Sequence, residues 1–130
     1  MRWLLVCLGG ALGSGLRYGV GLLAARVLGI SFPWGTLAVN WIGCLLISLV
    51  FALATATTNQ PALVSTDLRL FLTTGVMGGL TTYSAFNHEV LTLLQGSAWP
   101  RALIYVALTL LGCLAMGALG FALGRGLLTR

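Results

Sequence analysis

The sequence predicts an all-α membrane protein of four transmembrane helices. Its 130 residues are 58% hydrophobic and only 7% charged, with a mean hydropathy of +1.02. A soluble domain carries about a quarter charged residues, so this chain lacks the polar surface that water requires. Apolar stretches of about 20 residues, the length that crosses a hydrocarbon core, recur four times along it. Four such segments and short loops occupy the whole chain, which excludes an extramembrane catalytic or nucleic-acid-binding domain.

The first helix is expected over residues 3–25. Arg2 before an apolar run is also how a signal peptide begins, but the run is long, rich in glycine and interrupted by Arg17, with no small-residue cleavage site after it. It therefore reads as a retained helix. The second, over 34–54, starts just after Pro33, whose fixed φ suits a first helical turn. The polar stretch Thr55-Ala56-Thr57-Thr58-Asn59-Gln60-Pro61 ends it. The third runs over 68–94, with Asp67 as its expected N-cap. The fourth, over 101–124, follows Gly96-Ser97-Ala98-Trp99-Pro100. Trp3, Trp34 and Trp99 fall at the expected membrane–water boundaries, where an aromatic belt sits.

The net charge of +5 comes from arginine alone, at positions 2, 17, 26, 69, 101, 125 and 130. No cluster presents itself to nucleic acid, and all but Arg17 lie near helix ends as interfacial anchors. Arg2, Arg69, Arg125 and Arg130 share one side with Asp67, against Arg26 and Arg101 on the other. So slight a bias fits one fixed orientation, and equally fits insertion both ways up, which permits an antiparallel homodimer. Cys7, Cys44 and Cys113 lie in separate apolar segments without metal-site spacing, and read as small buried hydrophobes. The pairs Gly9/Gly13, Gly15/Gly19, Gly75/Gly79 and Gly120/Gly124 have the spacing that lets membrane helices approach backbone to backbone.

Polar groups at membrane depth are functional candidates by default. Arg17 either snorkels to the near interface or holds a fixed positive charge that draws anions toward a pathway. Asn40, mid-way along the second segment, offers two N–H donors that glue helices or bind an anion. In the third segment, Gly75 to Glu89 combines paired glycines with the hydroxyl run Thr81-Thr82-Tyr83-Ser84. That density predicts a broken helix whose freed carbonyls bind ions, more than a kink for packing alone. Tyr83 and Phe86 share a face there, and ring edges carry the positive charge that touches anions. Tyr105, Thr109 and Cys113 form a mildly polar stripe on the fourth helix, although such hydroxyls also bond to their own backbone. Donors without a central carboxylate favour an anion as cargo; His88 and Glu89, adjacent in sequence, point apart on a helix.

Three ordered segments carry a resemblance: Gly9-Gly10-Ala11-Leu12-Gly13-Ser14-Gly15-Leu16-Arg17-Tyr18, Gly35-Thr36-Leu37-Ala38-Val39-Asn40-Trp41-Ile42-Gly43-Cys44 and Gly78-Gly79-Leu80-Thr81-Thr82-Tyr83-Ser84-Ala85-Phe86. They resemble the signature segments of the Fluc/CrcB fluoride channels, and the likeness covers the whole chain. It implies an antiparallel dual-topology homodimer in the bacterial cytoplasmic membrane, carrying two pathways for passive fluoride export. It implies that Asn40 is the pore Asn, that Tyr83 and Phe86 are the paired aromatics, and that Tyr105 and Thr109 belong to a polar track, with Cys113 where Ser is expected; Ser84 is assigned to the pathway with them. Arg17 matches the first-helix Arg and Glu89 an acid just beyond the aromatics. It further implies a structural Na+ on the dimer axis, held by the carbonyls of Gly78 and Thr81. Tyr83 stands where Phe is typical, Ala85 where Thr is, and Asn87 where Ser is, which bears on rate and selectivity. Two other classes fit four short helices: a small dual-topology multidrug exporter, which leans on a first-helix Glu absent here, and a non-transporting assembly subunit, which leaves the polar centre of the third segment unexplained.

Overall fold

In a membrane, apolar side chains gain nothing by hiding from lipid, so helices associate through small residues and hydrogen bonds. The fold follows that rule. The computed structural model describes residues 1–55 and 62–128. Most of the polar stretch Thr55–Pro61 and the C-terminal Arg130 lie outside the described residues. Among those described, every regular element is a helix: α1 (Arg2–Leu28), α2 (Trp34–Ala54), α3 (Thr66–Leu70), a π-helical stretch (Phe71–Met77), α4 (Gly78–Leu80), α5 (Tyr83–Gln95) and α6 (Trp99–Leu128). Three of them, α1, α2 and α6, are each long and apolar enough to cross a membrane. The chain is an integral membrane protein.

Large apolar side chains point outward, among them Leu8, Leu12, Leu16, Leu111 and Leu114. The interior combines buried glycine, threonine and Asn40 with two apolar clusters, Val39 with Val76, Met77 and Leu80, and Leu37 with Phe86 and Tyr105. Gly9 and Gly13 of α1 lie against the stretch from Phe71 to Leu80. A Cβ on Gly9 would come within 2.7 Å of the Phe71 carbonyl and 2.8 Å of the Gly75 Cα, and one on Gly13 would overlap the Val76 carbonyl oxygen. On the other side of the molecule Gly120 brings α6 onto the Leu45 carbonyl of α2 in the same way. Gly15 and Gly19, the remaining pair on α1, meet nothing of their own chain within 4 Å.

The third segment begins differently from expectation at its cap. Ser65, not Asp67, caps α3, its hydroxyl accepting from the Leu68 N–H at 3.3 Å. Asp67 sits in the first turn, where its charge suits the helix dipole, and accepts an ion pair from Arg2 Nε at 2.9 Å. The Phe71–Met77 stretch adds the wider turn of a π-helix, a form that occurs mostly as single turns inside α-helices. Helical geometry ends at Leu80. Thr81 and Thr82 take extended angles, with ψ of 156° and 121°, before α5 starts at Tyr83.

Candidate functional site

An extended dipeptide inside an apolar bundle leaves backbone groups that must find partners. Asn40 supplies them. Its Oδ1 accepts from the Thr82 N–H at 2.9 Å, and its Nδ2 donates to the Thr82 carbonyl at 3.2 Å. One buried side chain thus pairs both polar groups of one backbone unit. Thr82 in turn caps α5, its hydroxyl accepting from the Ala85 N–H at 3.2 Å and lying 3.1 Å from Ser84 Oγ. These bonds have a further effect. The Thr82 N–H would close a helical bond onto the Gly78 carbonyl, and the Ala85 N–H one onto the Thr81 carbonyl. Both donors are engaged elsewhere, so these two carbonyls lose their helical partners.

Asn40, Gly78, Thr81, Thr82, Tyr83, Phe86, Thr109 and Cys113 all border one cavity of about 480 Å³ between α2, α6 and the third segment. None of its lining residues carries a formal charge. One donor at it lacks a protein acceptor: the hydroxyl of Thr109, whose Oγ1 is buried and has no hydrogen-bond partner. The Asn40 amide borders the same space. A buried polar atom left in this state costs free energy of about 1–3 kcal/mol, so such atoms mark places where something else supplies the bond.

The aromatic pair divides at the cavity's edge. Phe86 is 7% exposed, whereas Tyr83 is 76% exposed on the surface of the single chain, and their ring centroids lie 5.6 Å apart. Phe86 packs on Tyr105 at 5.1 Å. Tyr105 itself is fully buried and does not border the cavity. Its hydroxyl donates to Glu89 Oε2 at 2.6 Å, while Thr36 Oγ1 donates to Glu89 Oε1 at 2.7 Å. Thr36 and Glu89 border a second cavity of about 400 Å³, next to Phe32 and the turn at Ser31–Pro33. Of the predicted polar stripe on α6, the structure therefore brings Thr109 and Cys113 to one cavity and turns Tyr105 toward the carboxylate beside the other.

Ser84 is exposed, and its hydroxyl meets Thr82 rather than the cavity. Arg17 is half-buried on α1, borders neither cavity and makes no hydrogen bond or ion pair among the described residues. Sequence reasoning left the roles of two contributors unassigned. Glu89, matched only as an acid just beyond the aromatics, joins α2, α5 and α6. Trp41 donates from its indole to the Leu108 carbonyl at 3.0 Å and lies over Gly112, tying α2 to α6.

Comparison with known proteins gives the family of the chain. The model of the CrcB-like protein, Camphor Resistance (CrcB) family matches residues 4–121. The chain belongs to the CrcB family. Curated relatives named fluoride-specific ion channel FluC match nearly end to end. The protein of Sorangium cellulosum is 46% identical over 127 residues, covering 98% of this chain and 97% of its own. One from Thermus thermophilus is 47% identical, with 97% of each chain covered. That of Anaeromyxobacter dehalogenans is 52% identical over 88% of this chain and 87% of its own. The cavity residues Asn40 to Thr109 all fall within the span that the CrcB model matches.

Proposed function

We propose that this CrcB protein is a fluoride-selective channel that lets fluoride leave the cell down its electrochemical gradient and so relieves fluoride toxicity. The observation that carries the reading is the unclaimed hydroxyl of Thr109, in an uncharged cavity bordered by the Asn40 amide and edged by Phe86. Fluoride is small and strongly hydrated. A path selects it by replacing its waters with donors set close together in a narrow space. The Asn40 amide is fixed for this task by its two bonds to Thr82. The ring edges of Phe86 and Tyr83 add weak positive contacts. Neutral donors bind the anion without trapping it as a buried cation would, and no bond of the ion is made or broken, so no enzymatic step is required.

The working unit is an antiparallel dual-topology homodimer of four-helix chains in the bacterial cytoplasmic membrane, with the third segment acting as one broken helix. In support, the exposed Tyr83 and the unoccupied face at Gly15 and Gly19 are surfaces a second copy would cover. A structural Na+ fits the same picture. The carbonyls of Gly78 and Thr81 lack their helical donors, and backbone oxygens are the ligands a hard cation takes. Two copies would bring four such oxygens. Sodium would then hold the dimer together and take no part in carrying charge. Arg17 would bias the approach of anions or position α1. Cys113 and Tyr105 would border the fluoride route, Tyr105 through Glu89, and Ser84 would stabilise the start of α5.

The test is fluoride release from liposomes loaded with potassium fluoride, started by a potassium ionophore and followed with a fluoride electrode. Release should be fast, with chloride release from parallel liposomes at least about a hundredfold slower, and Phe86→Ile should slow fluoride by more than about tenfold. A well-folded protein that releases no fluoride would overturn the reading.

A further inference from the structure

Two of the cysteines that the sequence scatters over separate segments come together in the fold. Cys44 of α2 and Cys113 of α6 are free, half-buried thiols that border the same cavity as Asn40 and Thr109, on the stretch where Trp41 meets Gly112 and Ser48 meets Gly117. A third sulfur, that of Met77, lines the same space. The two helices that carry the thiols are held in fixed register close by, where Gly117 approaches the Cys44 carbonyl and Gly120 packs on that of Leu45.

The chemistry of this pair is restrictive. Among the described residues no three His, Cys, Asp or Glu side chains converge, so a tetrahedral ion such as Zn2+ finds too few ligands. Sulfur donors select soft ions, and two opposed thiols suit one that accepts linear coordination. Charge decides among these. Binding displaces a proton from each thiol. A monovalent ion would leave a complex of charge −1 with both thiols ionised, which is costly in a cavity with no cation lining it, or would stay neutral only by keeping one thiol protonated and a weaker ligand. A divalent ion gives a neutral product: Hg2+ and two thiols form an S–Hg–S bridge and release two protons.

We propose that Cys44 and Cys113 form a two-thiol site for a soft divalent cation, matched by Hg2+, and that filling it obstructs the fluoride path. The first half stands on the thiol geometry alone; the second rests on the channel reading given above. An S–Hg–S bridge would lie across the cavity wall below Thr109, joining α2 to α6 and taking up room beside the Asn40 amide.

The experiment uses intact protein with Cys7→Ser, which removes the exposed third thiol. Protein in chloride-free buffer receives mercuric nitrate, then an excess of a monothiol competitor, and is desalted. One Hg2+ per chain should remain. The second thiol acts as a tethered partner, and tethering of this kind strengthens binding by about 10²–10⁴-fold; Cys44→Ser and Cys113→Ser should therefore each keep less than about a tenth as much metal. Equal retention in either single variant would overturn the site. Fluoride release, scored against each variant's own metal-free rate, should fall more than about tenfold on adding Hg2+ to the Cys7→Ser protein, recover with a dithiol chelator, and be spared in Cys44→Ser. Metal retained without slowed release would overturn the obstruction. A protein that binds Hg2+ but passes no fluoride even without it would overturn the channel reading, and the obstruction with it, while the thiol site stands.

Discussion

The two halves of the third segment are held by opposite means. The front half, Thr66 to Leu80, lies on α1 through bare backbone: the Gly79 Cβ position is 2.5 Å from the Gly10 carbonyl, and Gly75 faces Gly9. The back half, α5, touches its neighbours mainly through long polar and aromatic side chains, with Glu89 bonded to Thr36 and Tyr105, and Phe86 stacked on Tyr105. Close backbone contact seals the seam with α1. Side-chain contact keeps helices apart: α5 borders both of the cavities described above, through Phe86 and Glu89, while the front half reaches the first only on another face, through Thr73, Met77 and Gly78. The tight seam and the open spaces thus lie on different faces of one segment, whose halves are joined at Thr81–Thr82.

Four predictions put that contrast at risk. The largest effect is expected from Gly13→Leu, because its side chain would occupy the place of the Val76 carbonyl and the Leu80 backbone. Monodisperse protein should be lost on size-exclusion chromatography. Gly15→Leu meets nothing within the chain, so it should leave the chain folded and lower only the fraction of the proposed dimer; equal damage from both would contradict the packing described. Next is the joint itself. Asn40→Ala strands the Thr82 N–H and carbonyl, at a cost of about 1–3 kcal/mol per unmet group. Asn40→Asp keeps an acceptor for the N–H but loses the donor and adds an anion. Both should cut fluoride release by more than about a hundredfold, with Asp retaining more thermal stability than Ala in a fluorescence melt.

A smaller effect is expected in the back half. A double-mutant cycle on Glu89→Gln and Tyr105→Phe should give a coupling of about 0.6 kcal/mol, the average for hydrogen bonds between membrane helices. No coupling would mean that the 2.6 Å bond does not help to hold α5 in place. The smallest belongs to the front: Arg2→Ala removes an ion pair whose side chains are 67% and 61% exposed, and exposed pairs contribute at most about 1 kcal/mol. Its melt should match the parent closely.

The sequence revealed the parts that depend on composition. Membrane embedding and an all-helical chain follow from hydropathy, and the need to bury Asn40 against something follows from its place among apolar residues. What it bonds was not legible, because the Thr82 backbone reaches it only once the third segment leaves helical geometry, 42 residues away. Asp67 looked like a cap because cap preferences rank Asp and Ser alike; the choice of Ser65 went with the engagement of Asp67 by Arg2, a contact spanning 65 residues. The stripe on α6 was read as one track. Side chains at i, i+4 share a face only approximately on a long helix, and the ring of Tyr105 reaches beyond its neighbours to Glu89. Cysteines in separate segments gave no hint of a pair, since spacing along a chain says nothing about contact across helices.

The wide turn at Phe71–Met77 governs how this segment tolerates length change. A π-turn holds one residue more than the α-turn it replaces. Because that turn spreads the extra residue over about the same rotation, deleting one residue there would let the segment close as an ordinary helix with Gly79 still on α1 and Thr82 still beside Asn40. One residue lost from an α-turn of α5 or α1 would instead rotate all that follows by about 100°. The wide turn thus works as slack in the chain, taking up one residue without disturbing the two surfaces on either side of it.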